Sequence, residues 1–174
     1  MRYFALDLHE AYMPPRLKKW HGILDPKTLA GKKRNLIPKH TFFQIESHLQ
    51  TVWTDLIFHP CFMVSKKVMA TIRLYDPALR FERIALADQK TKKVRVYYIP
   101  ILERLAVLTP NSRVARDQET LTYIEIDGKK TKQRAIFQLE SDEMFYIFAH
   151  GDLIESLLMR KAIGIDLKIV ETIY

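Results

Sequence analysis

Three short stretches of the chain carry residue types from which a metal or catalytic site could be built. In the first, the two-residue spacing of Asp7 and His9 would put both side chains on one face of a strand, with Glu10 adjacent. Imidazole and carboxylate groups are common zinc ligands. No second cluster of His, Cys or carboxylates at ligand spacing completes the set, so we predict a polar strand end, no metal and no cofactor.

The second and third stretches suggest nucleophiles. His59 and Cys61 could form an activated thiol, because the thiolate is the reactive form of cysteine. Adjacency in sequence does not supply a base in space, and we predict a loop histidine beside a buried cysteine. Ser65 lacks the flanking glycines of a nucleophile elbow and precedes a helical pattern, which predicts a helix N-cap. A small enzyme assembled from Asp7, His9 and His59 remains an alternative.

Glycine usage argues against the common nucleotide sites. Only five glycines occur, at positions 22, 31, 128, 151 and 164. They cannot form a P-loop or a dinucleotide-binding fingerprint. We therefore expect a protein that is not an enzyme.

The elements that would position these residues are clearest in the last quarter of the chain. The pattern predicts a strand at 144–150, a helix at 151–163 and a closing strand at 164–171. Asp152 and Glu155 have the spacing of a capping box, and Gly164 is predicted to stop the helix. The closing strand alternates apolar residues with Asp166 and Lys168.

Further upstream, strands outnumber helices. We predict strands at 3–8, 41–46, 80–87, 94–102, 121–126 and 134–139, and a helix that follows Ser65 through Tyr75. Strand 3–8 should bury one face. Strand 94–102 should be central in the sheet, because apolar residues occur at both its odd and its even positions. Asp127 and Gly128 predict a hairpin turn. The fold class is α+β: a mainly antiparallel sheet with a few short helices, including a capped C-terminal helix followed by a closing strand.

Size and composition favour one globular domain over residues 1–174. The hydrophobic fraction is 48% and the charged fraction 28%, as in ordinary globular proteins. The single cysteine cannot form an internal disulfide. An acidic residue, Asp7, stands where a signal peptide would continue its apolar core. No run approaches the ~18 apolar residues of a membrane helix. We expect a cytoplasmic protein with no membrane contact.

The net charge of +8 is concentrated in the first forty residues, which carry +6. Residues 10–40 form a basic, proline-containing region that could be a mobile subdomain element. Its candidate partner-binding residues are Trp20, Lys32, Lys33 and Arg34. Such a region could meet nucleic acid or an acidic protein face, or could only keep the chain soluble. Trp20 could be an exposed hot spot or a loop anchor, whereas Trp53 is predicted to enter the core.

Several segments resemble the α+β immunity proteins of bacterial polymorphic toxin systems. They are Trp53-Thr54-Asp55, Phe62-Met63-Val64-Ser65, Tyr97-Tyr98-Ile99-Pro100, residues 155–160 and Gly164-Ile165-Asp166-Leu167. The similarity runs over roughly residues 50–172. Its structural signature is Trp53, Ser65, Tyr98, Glu155 and Gly164.

The resemblance implies protection of the producing cell by stoichiometric, non-catalytic binding of a cognate toxin domain, ordinarily encoded beside the immunity protein. Because this chain is basic, an acidic partner is favoured. The matching segments have structural explanations, so the resemblance assigns no interface residue. The alternative is a nucleic-acid-associated regulatory module that uses the basic N-terminal loop.

Overall fold

The computed structural model describes residues 2–25, 29, 41–116 and 120–174. Its first half contains β1 (Tyr3–Leu8), β2 (Arg16–Leu17), β3 (Phe42–Glu46), β4 (Leu56–Ile57), β5 (Met63–Val64), helix α1 (Lys66–Tyr75), β6 (Phe81–Asp88) and β7 (Lys93–Pro100). Its second half contains β8 (Arg104–Leu105), β9 (Arg113–Val114), β10 (Leu121–Tyr123), β11 (Glu125–Asp127), a 3-10 turn (Gly128–Thr131), β12 (Ile136–Leu139), β13 (Ile147–His150), helix α2 (Gly151–Met159), β14 (Ile165–Ile169) and β15 (Glu171–Ile173).

Two larger sheets organise these elements. One has six strands in the order β2-β3-β6-β7-β5-β4, and the other has five in the order β14-β1-β13-β12-β8. Most pairs are antiparallel, and the parallel exceptions are β3 with β6, β12 with β8, and β11 with β15. The α+β fold class with a mainly antiparallel arrangement is therefore confirmed. No helix in the described ranges has both the length and the apolar character needed to cross a membrane.

The first apolar cluster joins the two helices to the five-stranded sheet. It includes Leu6 from β1, Ile72 from α1 and Leu153 from α2. A second cluster covers the other face of that sheet and includes Tyr3 and Ala5 from β1. The prediction that strand 3–8 buries one face is wrong, because the segments around β10 and β11 add a second apolar layer.

A third cluster lies on one face of the six-stranded sheet. Strands β6 and β7 contribute Ile84 and Tyr97 to it. The two tryptophans of the chain, Trp20 and Trp53, pack against this cluster and stay partly exposed. Strand β7 lies between β6 and β5, which confirms its predicted internal position.

The predicted hairpin at Asp127 and Gly128 is wrong. Asp127 Oδ1 instead accepts a hydrogen bond from the Lys129 amide at 3.0 Å and caps the 3-10 turn. Strand β11 pairs in parallel with β15, and β12 pairs with β13 and β8. These long-range pairings override the local turn preference of the Asp-Gly dipeptide.

The C-terminal helix and closing strand are present, but their ends differ from the prediction. His150, not Asp152, is the N-cap of α2, and its Nδ1 accepts from the Asp152 amide at 3.3 Å. The helix ends four residues early, because Lys161 adopts φ +54° and donates its amide to Leu158 O while Ala162 donates to Leu157 O. These two bonds form a Schellman motif. Gly164, predicted as the stop, lies beyond it.

Candidate functional site: the Asp55 cleft

Most of the segments that carry the family resemblance meet around one buried carboxylate, that of Asp55. Its Oδ1 accepts from the Ser65 hydroxyl at 2.6 Å, and its Oδ2 accepts from the Ile163 amide at 2.8 Å. Lys67 Nζ lies 2.9 Å from the same Oδ2. Since Asp55 is only 9% exposed, these donors replace the water that its charge would otherwise bind. One side chain thus ties together the start of α1 and the loop before β14.

Backbone bonds reinforce the junction. The Ser65 amide donates to Asp55 O at 2.8 Å, and the Asp55 amide donates to Ile163 O at 3.0 Å. The Ser65 oxygen also accepts from the Val68 amide at 3.4 Å, which confirms the predicted N-cap. Ser65 therefore ends β5, starts α1 and holds Asp55 in place.

Gly164 and Tyr97 fix the neighbouring residue, Thr54. A Cβ added to Gly164 would lie 2.7 Å from the Thr54 Cβ, and Gly164 has φ +87°, so both space and backbone geometry favour glycine. The buried Tyr97 hydroxyl donates to Thr54 O at 2.7 Å. The ring of Trp53 lies nearly parallel to that of Tyr97, with centroids 6.3 Å apart. Trp53 is half-buried, between the predicted core position and a surface position.

This junction forms the floor of an open cleft of about 490 Å³, which we call the Asp55 cleft. Tyr98 lines it, together with the exposed cations Lys66, Lys67, Arg83 and Arg95. The Arg95 guanidinium carbon lies 5.5 Å from the centroid of the Trp53 ring. The cleft therefore combines a cation–π pair with a basic rim.

Only one of the four rim cations has a carboxylate partner within the described residues. Lys67 pairs with Asp55, whereas no salt bridge there involves Lys66, Arg83 or Arg95. These three positive charges are free to meet an external anionic group. Sequence reasoning missed them, because Arg83 and Arg95 approach the cleft only through the pairing of β6 with β7.

The residues that suggested a metal site have other partners. Asp7 Oδ2 lies 2.9 Å from Lys168 Nζ, and His9 Nδ1 accepts from the Ala11 amide at 3.2 Å. Across residues 2–25, 29, 41–116 and 120–174, no group of three or more His, Cys, Asp or Glu side chains could hold a metal ion. Glu10 is exposed at the strand end.

The environment of Cys61 opposes an activated thiol. The residue is 3% exposed, and burial raises the pKa of the thiol to about 12. His59 instead packs edge-on against Trp20, with ring centroids 5.2 Å apart. At neutral pH the thiol stays protonated, so it is a poor nucleophile.

Trp20 contacts His59, which lines a second depression of about 550 Å³ together with Met13 and Phe58. Its indole stacks on His21 at 3.8 Å between centroids and packs against the third apolar cluster. This is the geometry of a loop anchor that keeps one part exposed. The three other predicted partner-binding residues, Lys32, Lys33 and Arg34, lie outside the described residues.

The signature residues thus separate into two groups. Trp53, Ser65 and Tyr98 line the Asp55 cleft, and Gly164 packs beneath it against Thr54. Glu155 is exposed on α2 and does not line the cleft. No protein-family model matches the chain, and no curated protein matches it.

Proposed function

We propose that this chain is an immunity protein that binds and neutralises a cognate bacterial toxin domain in the cytoplasm of the producing cell. The observation that carries the proposal is the Asp55 cleft, where resemblance-bearing segments converge under an accessible Trp53–Arg95 pair. Tryptophan and arginine dominate the binding energy of many protein interfaces. An accessible pair of this kind supports binding to another protein.

Inhibition in this proposal is stoichiometric. Ser65 and Asp55 are engaged in holding the fold, and Cys61 is a buried, protonated thiol, so we assign none of them a catalytic step. Affinity would come from a few desolvated anchors, and charge complementarity would accelerate encounter with an acidic toxin surface. We also assign a contribution to the N-terminal region through Trp20, Lys32, Lys33 and Arg34.

Titration of purified components tests the proposal. The probe is the C-terminal domain of the multidomain protein encoded in the adjacent reading frame, assayed for its own toxic activity. We expect inhibition that is complete at one equivalent and independent of preincubation time once binding is complete. If a substoichiometric amount of this chain inactivated all of the toxin over time, the chain would be acting as a catalyst, and non-catalytic inhibition would be contradicted.

A second candidate function is a nucleic-acid-associated regulatory module. Its specific support is the basic rim of the Asp55 cleft, in addition to the +8 net charge. Binding of this kind weakens steeply with salt, because neutralised phosphates release counterions. A steep salt dependence with a single-stranded oligonucleotide, combined with no binding to the toxin domain, would favour this candidate over immunity.

A further inference from the structure

One edge of strand β7 is left open beside the Asp55 cleft. Strand β6 pairs with β7 along its whole length, from Lys93 to Pro100. On the other side, β5 pairs with β7 only through Val64 and Tyr98. In the described ranges, the edge from Lys93 to Val96 therefore has no second strand partner.

The reason for the open edge is local. The chain reaches Ser65 immediately after β5, and the N-cap geometry of Ser65 turns it out of the sheet into α1. The first residues of α1, Lys66 and Lys67, then border the cleft instead of continuing the ladder. The open edge is thus a consequence of the same Ser65–Asp55 junction that builds the site.

Positive charge lies on both faces of the sheet at this edge. Arg83 lies on β6, opposite Tyr98 on the face of the sheet that packs toward α1, and its side chain lines the Asp55 cleft beside this edge. Arg95 has the same parity as Tyr97 and therefore belongs to the opposite face, where it covers Trp53. Lys66 adds a third charge at the helix start. An occupant of the edge would meet cations above and below the sheet.

An extended peptide could pair with this edge and contact the cations on both faces. Its backbone can pair with the unpaired groups of an edge strand, and its successive side chains point to opposite faces of the sheet. Carboxylates at successive positions would then reach the cations of both faces. A nucleic acid could meet the charges but has no peptide backbone to extend the ladder.

We propose that an acidic, extended segment of the toxin docks as an added strand on the Lys93–Val96 edge of β7, with its carboxylates contacting Arg83, Arg95 and Lys66. The proposal rests on the immunity function and names the surface and the partner chemistry. The added strand would occupy the position that β5 vacates at Ser65. Four residues of edge correspond to roughly 13 Å of extended chain.

Charge reversal tests the contact. We compare wild type, the double variant Arg83→Glu/Arg95→Glu, and the matched control Arg113→Glu/Lys129→Glu, which reverses two exposed charges outside the cleft. Calorimetry with the toxin domain should show at least about a thirtyfold loss of affinity for the cleft variant and less than about threefold for the control. Thermal unfolding of each variant verifies that the fold is retained.

Hydrogen exchange tests the added strand. In the complex, the amides of Lys93–Val96 should exchange more slowly than in the free protein, because a docked strand protects edge groups. Loss of affinity without this protection would overturn the added strand. A cleft variant that binds as tightly as the control would overturn the contact itself.

Two further outcomes separate the possible failures. If wild type does not bind a demonstrably toxic domain, the immunity function fails, and the docking of a toxin segment on β7 is overturned with it. If wild type binds both the toxin domain and a 20-nucleotide single-stranded probe, and Arg83→Glu/Arg95→Glu abolishes only oligonucleotide binding, the cleft is a nucleic-acid surface. That result would overturn the acidic-segment assignment while leaving immunity in place.

Discussion

The hydroxyl of Ser65 donates to Oδ1 of Asp55 at 2.6 Å, and the same oxygen caps α1 by accepting from the Val68 amide at 3.4 Å. One side chain therefore both caps a helix and donates a hydrogen bond to a buried carboxylate. Asp55 also forms an ion pair with Lys67 and accepts a hydrogen bond from the Ile163 amide. Ser65 and Asp55 together therefore set the position of three chain segments. The open edge of β7 depends on this arrangement.

We expect Asp55→Ala to be strongly destabilising. The substitution leaves the Ile163 amide and the Ser65 hydroxyl without their acceptor in a mostly buried site, which costs about 2–4 kcal/mol. Urea unfolding measures the loss. Lys67→Met is the control, and because this lysine is partly exposed it should cost less than about 1 kcal/mol. Equal effects of the two substitutions would contradict the proposed role of Asp55.

Gly164→Ala should destabilise the protein by about 2–3 kcal/mol. The new Cβ would lie 2.7 Å from the Thr54 Cβ, and the backbone has φ +87°. Gly151→Ala is the matched control, since its Cβ would make only ordinary contacts, with the Arg2 carbonyl oxygen at 3.5 Å and Phe4 Cε2 at 3.7 Å. Chemical denaturation should leave the control within about 0.5 kcal/mol of wild type. A neutral Gly164→Ala would show that the loop before β14 adapts freely.

Lys161→Gly should stabilise the protein by about 0.5–1 kcal/mol. Lys161 occupies the left-handed position of the Schellman motif after α2 at φ +54°, where a Cβ is unfavourable. Lys161→Ala keeps the Cβ and serves as the control for loss of the side chain. A higher midpoint of unfolding for Gly than for Ala is expected. The reverse order would indicate that the lysine side chain stabilises the turn.

Burial of Cys61 predicts a pH dependence with a defined sign. The thiol pKa is raised from 9.0 to about 12 in the folded protein. The stability contributed by the protonated thiol is therefore complete below pH 9 and falls as the pH rises toward 12, because the unfolded state loses its proton first. The pKa of Tyr97 is also raised by burial and acts in the same direction. The difference in the pH dependence of stability between wild type and Cys61→Ala gives the contribution of the thiol alone.

Unfolding measured between pH 7 and 10 provides the readout. Wild type should lose stability more steeply above pH 9 than Cys61→Ala does. Thiol labelling at pH 8 gives an independent check, with slow reaction in native protein and fast reaction in urea. Rapid labelling of native protein would contradict a buried, protonated Cys61.

Local signals were sufficient for parts of the fold. Ser65 was identified as a cap from its place before a helical pattern, and the α+β class followed from the many strand signals. The Asp127 turn was wrong because a strand distant in sequence decided it, and the Asp152 cap was wrong because the N-cap lies two residues earlier, at His150. Strand β11 pairs with β15, and His150 is the N-cap of α2, with its Nδ1 accepting from the backbone amide of Asp152 itself.

The candidate site shows the same division. Trp53, Ser65 and Gly164 were identified from sequence, but nothing local indicated that they surround Asp55. The charges of Arg83 and Arg95 become part of one cleft only through strand register, which sequence periodicity does not specify. Glu155 shared the sequence signal and lies elsewhere, exposed on α2.

The central claim is that this chain neutralises a cognate toxin domain by binding it. The most direct test is growth of a heterologous host that expresses the adjacent C-terminal toxin domain, with this chain or with an unrelated immunity protein at equal expression. The account predicts that growth is restored by this chain alone. Persistent growth arrest, with a demonstrably toxic domain and this chain present in excess, would contradict it.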